Sequence, residues 1–315
     1  MSSPRPIIID CDPGKDDAVA ILLALAAREA LDVRAVTAVA GNVPLGWTER
    51  NARLMVELAG RNDIPVHAGC ARPWVRPLVT AEHIFGRTGL DGVELDEPRL
   101  ALADGHAVTV IIDRLLAAAD RSVTLCPLGP LTNVATALIQ EPRIAPKIRE
   151  IVLMGGAIGL GNVTPSAEFN IYVDPHAAAA VFAAGIPIVM LPLDATHQAL
   201  ATRAWVKAMA GLGNRAGRAI AQMLGHDLAR RDLGRYGGRG VPLHDPCVIA
   251  WLLWPELFEG RSCAVAVETA SELTLGRTVV DWWGGARRPA NALVVDRLQA
   301  EPLFARMTEL IARLP

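Results

Sequence analysis

Four aspartates fall within eight positions of the stretch IIIDCDPGKDDAVAILLALAA, residues 7–27: Asp10, Asp12, Asp16 and Asp17. Apolar sequence flanks them on both sides, so like charges gather at the edge of a core. Neighbouring carboxylates repel one another and therefore either take up protons or hold a cation. Because Ca²⁺ and Mg²⁺ bind carboxylates, carbonyls and water, the cluster predicts a site for a hard divalent cation. The alternative is that Asp16 and Asp17 only cap a helix, whose dipole favours negative charge at its N-terminus.

A second candidate segment, HDPC at 244–247, begins the apolar helix VIAWLLW. Asp245 would complete the cation site, and His244 beside it would act as a proton donor, since histidine ordinarily titrates near neutrality. The alternative is an N-cap aspartate followed by proline at the first helical position, which is a common way to start a helix.

Two loops carry further candidate ligands. GNVTPSAEFN at 161–170 offers Asn162, Glu168 and Asn170, whose amides and carboxylate suit the hydroxyl groups of a sugar. It is equally typical of a polar loop that binds nothing. CPLGPLTN at 126–133 ends an apolar run in a Pro/Gly turn and exposes backbone carbonyls, which hard cations accept as ligands.

Short apolar runs precede these polar segments and predict the strands that position them. The strand candidates are RPIIIDCD, VRAVTAVAGN, IPVHAG, SVTLCPLGP, EIVLMGGAIG, IPIVMLPLD, CAVAVE, TVVDWW and NALVVDR. Helical patterns follow the aspartates of the first motif and lie at about Thr48–Ala59, Val108–Ala119, Leu131–Ile139, Pro175–Ala184 and Pro302–Leu314. This alternation predicts an α/β fold with a mostly parallel central sheet flanked by helices. Ligands bind such sheets beyond the carboxyl ends of the strands, where the polar segments gather.

The chain shows no linker rich in proline or serine, so we expect one domain over residues 1–315. Residues 201–240 are more helical and rich in Arg and Gly, which predicts a helical insertion or cap near the active site. The net charge of −2 gives no footprint for nucleic acid. Apolar runs are too short to span a membrane, and the N-terminus reaches an aspartate too soon for a signal peptide. Five cysteines without a CxxC pair favour the cytoplasm.

The chain resembles the inosine–uridine nucleoside hydrolase family in six motifs that keep the family's order. They are DCDPGKDDA at 10–18, GN at 41–42, LGPLTN at 128–133, MGG at 154–156, GN–AEFN between 161 and 170, and HDP at 244–246. TVVDWWG near 278–284 is similar to a weaker C-terminal signature. The resemblance implies a Rossmann-like fold and Ca²⁺-dependent hydrolysis of the N-glycosidic bond of ribonucleosides. It also implies a homodimer or homotetramer and a role in nucleoside salvage or catabolism.

The resemblance further implies roles for individual residues. The implied calcium ligands are Asp12, Asp17, Asp245 and the main-chain carbonyl of Leu128. Asp12 would also be the general base, and His244 would protonate the leaving base. The residues implied to surround the ribose are Asp16, Asn42, Met154, Asn162, Glu168, Phe169 and Asn170, with Asp10 supporting the loop. A carboxylate cluster would also oppose the positive charge that develops on the ribose as the bond breaks.

The base contacts are where the sequence departs from the family pattern. AEHIFGRTGLDG at 81–92 resembles a mobile active-site loop in which many members have His directly before Gly. Here Phe85 takes that place and His83 lies two positions earlier, so stacking of the base on Phe85 is an alternative to a histidine contact. The segment 222–236 offers Tyr236, together with Gln222, His226 and Arg230. His244 resembles the acid of the family branch that uses a histidine, so the resemblance implies pyrimidine nucleosides and inosine as substrates.

Three questions stay open from sequence alone. Lys15, inside the first motif, would lower the pKa of nearby carboxylates if it points inward, but lysine more often points to solvent. A ribose or nucleoside sensor would bind through the same residues without turnover. The start IIIDCD also resembles the DxD motif of haloacid-dehalogenase-type phosphatases, although that family has Thr or Val where Gly14 stands.

Overall fold

The apolar runs of the sequence become strands in the computed structural model, which describes residues 3–230 and 233–315. The strands are β1 (Arg5–Cys11), β2 (Leu31–Ala38), β3 (Val66–Ala68), β4 (Val123–Pro127), β5 (Ile148–Met154), β6 (Ile188–Leu191), β7 (Leu200–Ala201), β8 (Val241–Pro242), β9 (Phe258–Cys263), β10 (Val265–Val267), β11 (Thr278–Val280) and β12 (Ala292–Leu298).

Helices connect most of these strands. They are α1 (Lys15–Ala26), α2 (Leu45–Leu58), α3 (Glu82–Phe85), α4 (Ala107–Leu116), α5 (Thr132–Gln140), α6 (Phe169–Val173), α7 (Pro175–Phe182), α8 (Leu193–Thr196), α9 (Arg203–Gly211), α10 (Arg215–Arg230), α11 (Pro246–Leu253) and α12 (Ala300–Ile311). Short 3₁₀ turns cover Pro142–Lys147, Gly234–Tyr236 and Pro255–Leu257. Within the described residues, no helix is long and apolar enough to cross a membrane.

Eight of the described strands form one sheet in the order β3-β2-β1-β4-β5-β6-β12-β9. All neighbouring pairs are parallel except β12 and β9 at one edge. Ile7, Ile8 and Ile9 of β1 are at most 1% exposed, because helices cover both faces of the central strands. The predicted α/β fold with a mostly parallel central sheet is therefore confirmed.

Two apolar layers enclose this sheet. On one face, α1 packs against α2, α11 and α12, and its residues from Lys15 to Leu25 are all buried. On the other face, α4 and α7 both pack against α5. The burial of α1 explains why its sequence is apolar nearly all round, as a core helix must be.

The C-terminal third differs from the sequence-based expectation. CAVAVE does not form one strand, since β9 ends at Cys263 and β10 begins at Val265. Strand β9, FEGRSC, was missed because its four central residues are exposed and give no apolar run. The predicted segment 201–240 contains α9 and α10, and the β7–β8 ladder joins its two ends. Residues 231–232 of that segment lie outside the described residues, and the single-domain organisation stays a prediction.

Candidate active site

The carboxyl ends of four neighbouring strands, β2, β1, β4 and β5, meet at a cavity of about 170 Å³. Thirteen of the predicted site residues line it: Asp16, Asn42, His83, Phe85, Leu128, Met154, Asn162, Glu168, Phe169, Asn170, Tyr236, His244 and Asp245. The other three, Asp10, Asp12 and Asp17, are buried directly beside the lining residues. Residues far apart in sequence are thus brought together at one edge of the sheet, as expected for parallel strands.

Asp12 follows β1 and is completely buried. Its Oδ2 atom accepts a hydrogen bond of 2.6 Å from the backbone N–H of Asn42. Its Oδ1 atom has no hydrogen-bond partner among the described residues. Two glycines make room for this carboxylate, because a Cβ atom at Gly41 would lie 2.0 Å from Oδ2 and one at Gly129 would lie 2.3 Å from Oδ1.

Asp17, in the first turn of α1, holds the loop between β1 and the helix in place. Its carboxylate accepts from the backbone N–H groups of Asp12 at 3.2 Å and Gly14 at 3.1 Å. The carboxylate oxygens of Asp16, Asp17 and Asp245 also come within 4.8 Å of one another. Asp245 reaches this point from the start of α11, across more than two hundred residues of sequence.

These carboxyl groups have strongly perturbed acidity. Burial raises the pKa of Asp17 to about 7, and the neighbouring charge of Asp16 adds to the effect. Burial likewise raises the pKa of Asp12 and of Asp245 well above the usual range, with repulsion from the other carboxylates next. Such a group of acids can stay ionised only if a positive charge balances it.

Asp10 lies behind the cluster. Its Oδ1 atom accepts from the Thr37 hydroxyl at 2.6 Å and from the Asn133 amide at 2.8 Å. Its Oδ2 atom has no hydrogen-bond partner within the described part of the chain, and burial raises its pKa to about 7. Through Thr37 and Asn133 it joins the ends of β1 and β2 to α5, and its supporting role stays a prediction.

The residues predicted to hold a sugar form a second wall. Glu168 accepts backbone N–H bonds from Gly156 and Asn170 at 2.9 Å each, and burial raises its pKa to about 7. The Asn170 amide donates to the carbonyls of Leu128 at 2.6 Å and Met154 at 3.1 Å. This wall is therefore rigid, because one buried acid and one buried amide tie together the loops after β4 and β5.

Aromatic rings also lie at the cavity. The Nδ1 atom of His244 lies 2.8 Å from the Thr196 hydroxyl oxygen. The ring of His197 meets His244 edge-on at 5.4 Å and Tyr236 at 5.3 Å between centroids. Phe85 packs over the turn of the acidic motif, because a Cβ at Gly14 would lie 2.8 Å from its Cδ1 atom.

Sequence reasoning missed two charged or polar contacts here. Lys15 points inward and pairs with Asp227 of α10, and both side chains are at most 4% exposed. The His226 Nδ1 atom lies 3.5 Å from the Lys15 ammonium nitrogen. Neither Asp227 nor Thr196 belongs to any motif that could have revealed it, since each acts on a residue distant in sequence.

The donor set fits a hard divalent cation. Asp16, Asp17 and Asp245 supply converging carboxylate oxygens, and Asp12 adds a buried oxygen with no hydrogen bond to the described residues. The Leu128 carbonyl accepts from Asn170, but a carbonyl has two lone pairs and keeps one for a cation. Oxygen-only ligands are those that Ca²⁺ and Mg²⁺ take.

Comparisons with known proteins point to one family. The family model of the inosine-uridine preferring nucleoside hydrolases matches residues 7–305. A pyrimidine-specific ribonucleoside hydrolase, RihA of Shewanella sp. (strain ANA-3), is 47% identical over 291 residues, covering 92% of this chain and 91% of the relative. RihA of Enterobacter sp. (strain 638) is 46% identical, covering 92% and 93%. The solved structure of a purine-preferring ribonucleoside hydrolase from Gardnerella vaginalis superimposes with a TM-score of 0.91, at 30% identity, covering 98% of both chains.

Proposed function

This chain belongs to the inosine–uridine preferring nucleoside hydrolase family and is a nucleoside hydrolase, and we propose that it is a Ca²⁺-dependent enzyme that prefers pyrimidine ribonucleosides. The observation that carries the proposal is the group of buried carboxylates beside the cavity. The pyrimidine preference is supported by the RihA relatives at 46–47% identity, which exceed the 30% of the purine-preferring structure. Inosine is the second candidate substrate, because His244, which lines the cavity, would protonate a poor leaving base.

Asp12, Asp17, Asp245 and the Leu128 carbonyl would hold the cation. When bound, a divalent cation would orient a water molecule and lower its pKa, so that a nucleophile is available at neutral pH. Asp16 lies in the same group of carboxylates and would instead face the ribose hydroxyls. A cation at this point is supported by the charges, since it would relieve the repulsion that adds to burial in raising the pKa of Asp12, Asp17 and Asp245.

Asp12 would act as the general base. Its Oδ1 atom is buried without a hydrogen bond to the described residues, so it has a lone pair available for a proton from the attacking water. The Asn42 N–H on Oδ2 fixes the plane of the carboxylate. A correctly positioned base contributes typically 10²–10⁴-fold to rate.

The rigid wall would hold the ribose. Asp16 and Asn42 would bind the 2′- and 3′-hydroxyls with Asn170, and Asn162 and Glu168 would bind the 5′-hydroxyl. Met154 and Phe169 would line the sugar. As the glycosidic bond breaks, positive charge grows on the ribose, and the surrounding carboxylates would stabilise it.

His244 would protonate the departing base. It lines the cavity together with Phe85, His83 and Tyr236, the candidate base contacts. Stacking on the Phe85 ring, rather than a histidine contact, is our interpretation of this position. The products, a free base and ribose, fit salvage or catabolism of nucleosides, and we expect a homodimer or homotetramer in the cytoplasm.

The test is ribose release from uridine, cytidine, inosine, adenosine and guanosine, measured as reducing sugar with and without prolonged chelation. We expect release that is fastest with a pyrimidine nucleoside, falls after chelation and returns with Ca²⁺. Asp12→Ala should abolish it, whereas Asp63→Asn, at an exposed aspartate, should not. Binding of ribose without release of base by calcium-loaded protein would favour a sensor instead. Activity that survives removal of all metal, checked by elemental analysis, would reject the calcium dependence.

A further inference from the structure

Two loops that meet beside the cavity hold the imidazole of His244. Thr196 ends α8, directly after β6, and its side chain is completely buried. His244 lies between β8 and α11. The Thr196 hydroxyl oxygen and the His244 Nδ1 atom are 2.8 Å apart, which is a normal hydrogen-bond length.

The backbone keeps these two loops in register. Strands β7 and β8 pair in antiparallel fashion, with Leu200 opposite Pro242. The backbone N–H of Leu243 donates to the carbonyl of Ala199 at 2.9 Å, which extends the ladder to the residue before His244. This backbone pairing therefore holds the Thr196 hydroxyl next to Nδ1 of His244.

Neighbouring rings restrain the plane of the imidazole. His197, the residue after Thr196, meets the His244 ring edge-on with 5.4 Å between centroids. A ring held at Nδ1 and on one face cannot turn over without losing both contacts. Its two nitrogens therefore have fixed and different surroundings, which determines which of them carries the proton used in the reaction.

We propose that Thr196 is a positioning residue for departure of the base: its hydroxyl oxygen accepts the Nδ1–H of His244 and keeps the transferable proton on Nε2. This inference rests on the proposed role of His244. In the imidazolium form both nitrogens carry a proton, and Nδ1–H bonds to Thr196. After transfer, the neutral ring keeps Nδ1–H, so the hydrogen bond to Thr196 is the same before and after the step.

The bond between the base and C1′ breaks, and the base takes the bonding electrons together with the Nε2 proton. The water oxygen bonds to C1′, and the proton it loses goes to the general base. Without an acceptor at Nδ1, the imidazolium loses the hydrogen bond that orients it, and its ring can turn so that Nε2–H no longer points at the base. For histidines that bind metals, loss of the hydrogen-bond partner of the other ring nitrogen typically lowers activity by about 10- to 100-fold, and we expect a loss of this size here.

The test compares substrates that differ in their need for a proton donor. Uridine and inosine have basic leaving groups, whereas 4-nitrophenyl β-D-ribofuranoside releases a phenolate that needs no proton. Thr196→Val keeps the shape and removes the hydroxyl, and Thr196→Ser restores the hydroxyl. We expect Thr196→Val to lower kcat on uridine by about 10- to 100-fold, to change hydrolysis of the nitrophenyl riboside by less than about 3-fold, and to be rescued by Thr196→Ser.

Thr124→Val is the matched control, because Thr124 is buried in β4 and its hydroxyl has no hydrogen-bond partner among the described residues. It should leave both substrates unchanged. His244→Asn separates the acid role of His244 from the positioning role of Thr196. If His244→Asn loses activity on uridine but keeps it on the nitrophenyl riboside, and Thr196→Val shows no such selective loss, only the role of Thr196 is overturned. Equal losses on both substrates in His244→Asn would overturn the acid role of His244 and this inference with it.

A spectroscopic measurement does not depend on activity. Nitrogen-15 NMR of labelled histidine, assigned by the missing signals of His244→Asn, reports which ring nitrogen is protonated in the neutral form. We expect the Nδ1–H tautomer in the wild type and a mixture in Thr196→Val. An Nε2–H tautomer in the neutral wild-type enzyme would overturn the proposal.

Discussion

The ammonium group of Lys15 lies against the carboxylate of Asp227 in the wall of the cavity, and both side chains are at most 4% exposed. Lys15 begins α1, beside the acidic cluster, and Asp227 lies in α10. The ion pair therefore ties the acid-bearing end of one helix to the segment that closes the cavity. Taking two charges out of water is costly, so a buried pair adds little net stability. Removing one partner costs more, because it leaves the other charge buried and unpaired.

Lys15→Met should lower the free energy of unfolding by roughly 3–5 kcal/mol, because the buried Asp227 carboxylate loses its ammonium partner. The double variant Lys15→Met/Asp227→Leu should recover most of that loss, since it removes both charges. Urea denaturation of the three proteins measures the difference. Arg143→Met, which breaks an exposed pair with Glu141, is the control and should denature like the wild type. A single variant no less stable than this control would mean that the pair contributes nothing.

Gly129→Ala should destroy the cation site. A Cβ at this position would lie 2.3 Å from Asp12 Oδ1, so the carboxylate must move. Displacement of a reacting group by about 1 Å commonly costs about 10²-fold in rate, and we expect at least that loss in kcat/KM. The rise in Tm on adding Ca²⁺, expected for the wild type, should also disappear.

Gly46→Ala is the matched control for this substitution. Gly46 lies in α2, and a Cβ there would meet nothing within 4 Å. Alanine in a helix is favoured over glycine, so stability should be unchanged or slightly higher and activity unaffected. Retention of the calcium-dependent rise in Tm by Gly129→Ala would show that Asp12 is not a ligand.

The sequence predicted those parts of the molecule whose signals are local. Strands buried on both faces, such as β1 and β5, read as continuous apolar runs. The edge strand β9 was missed because only its first and last residues, Phe258 and Cys263, are buried. It joins the sheet through backbone pairing with β12, and backbone hydrogen bonds do not produce a pattern of apolar side chains in the sequence.

The same limit applies to the candidate site. Asp12 and Asp17 are five residues apart, so their clustering is visible in the sequence itself. The partners of Lys15 and His244 cannot be found in the sequence in this way, because Asp227 lies 212 residues from Lys15 and Thr196 lies 48 residues from His244. No local pattern indicates a buried lysine, which is rare among folded proteins. Contacts of this kind follow from the fold and become visible only with it.

Phe85→Leu should raise KM for uridine by about 10-fold, because stacking of a base on an aromatic ring contributes about 1–3 kcal/mol. Phe85 lines the cavity and packs over Gly14, so its ring is held in place before substrate binds. kcat should change little, since the acids and His244 are untouched. Inhibition by free ribose, which has no base, is the internal control and should be the same in both proteins. Equal KM values for uridine would place the base elsewhere in the cavity.

Glu168 should make the stability of the folded protein depend on pH. Burial raises the pKa of this carboxyl to about 7, from an ordinary value of 4.5. Between these values the unfolded chain has lost the proton and the folded chain keeps it, so the free energy of unfolding falls as pH rises. The protonated form therefore contributes its full stability below about pH 4.5, and the contribution is lost by about pH 7. The slope is at most about 1.4 kcal/mol per pH unit.

Glu168→Gln cannot ionise, so its free energy of unfolding lacks this slope. The stability of the wild type relative to Glu168→Gln should therefore fall by up to roughly 3 kcal/mol between pH 4.5 and pH 7, measured by urea denaturation at constant calcium. The amide will also lose part of the bonding to the N–H groups of Gly156 and Ile171, which shifts the curve but not its slope. Glu29→Gln, at an exposed glutamate, is the matched control for the loss of one carboxyl. If the difference in free energy of unfolding between the wild type and Glu168→Gln does not change with pH, the carboxyl ionises as readily in the folded chain as in the unfolded one. The three backbone N–H donors would then offset the effect of burial on its pKa.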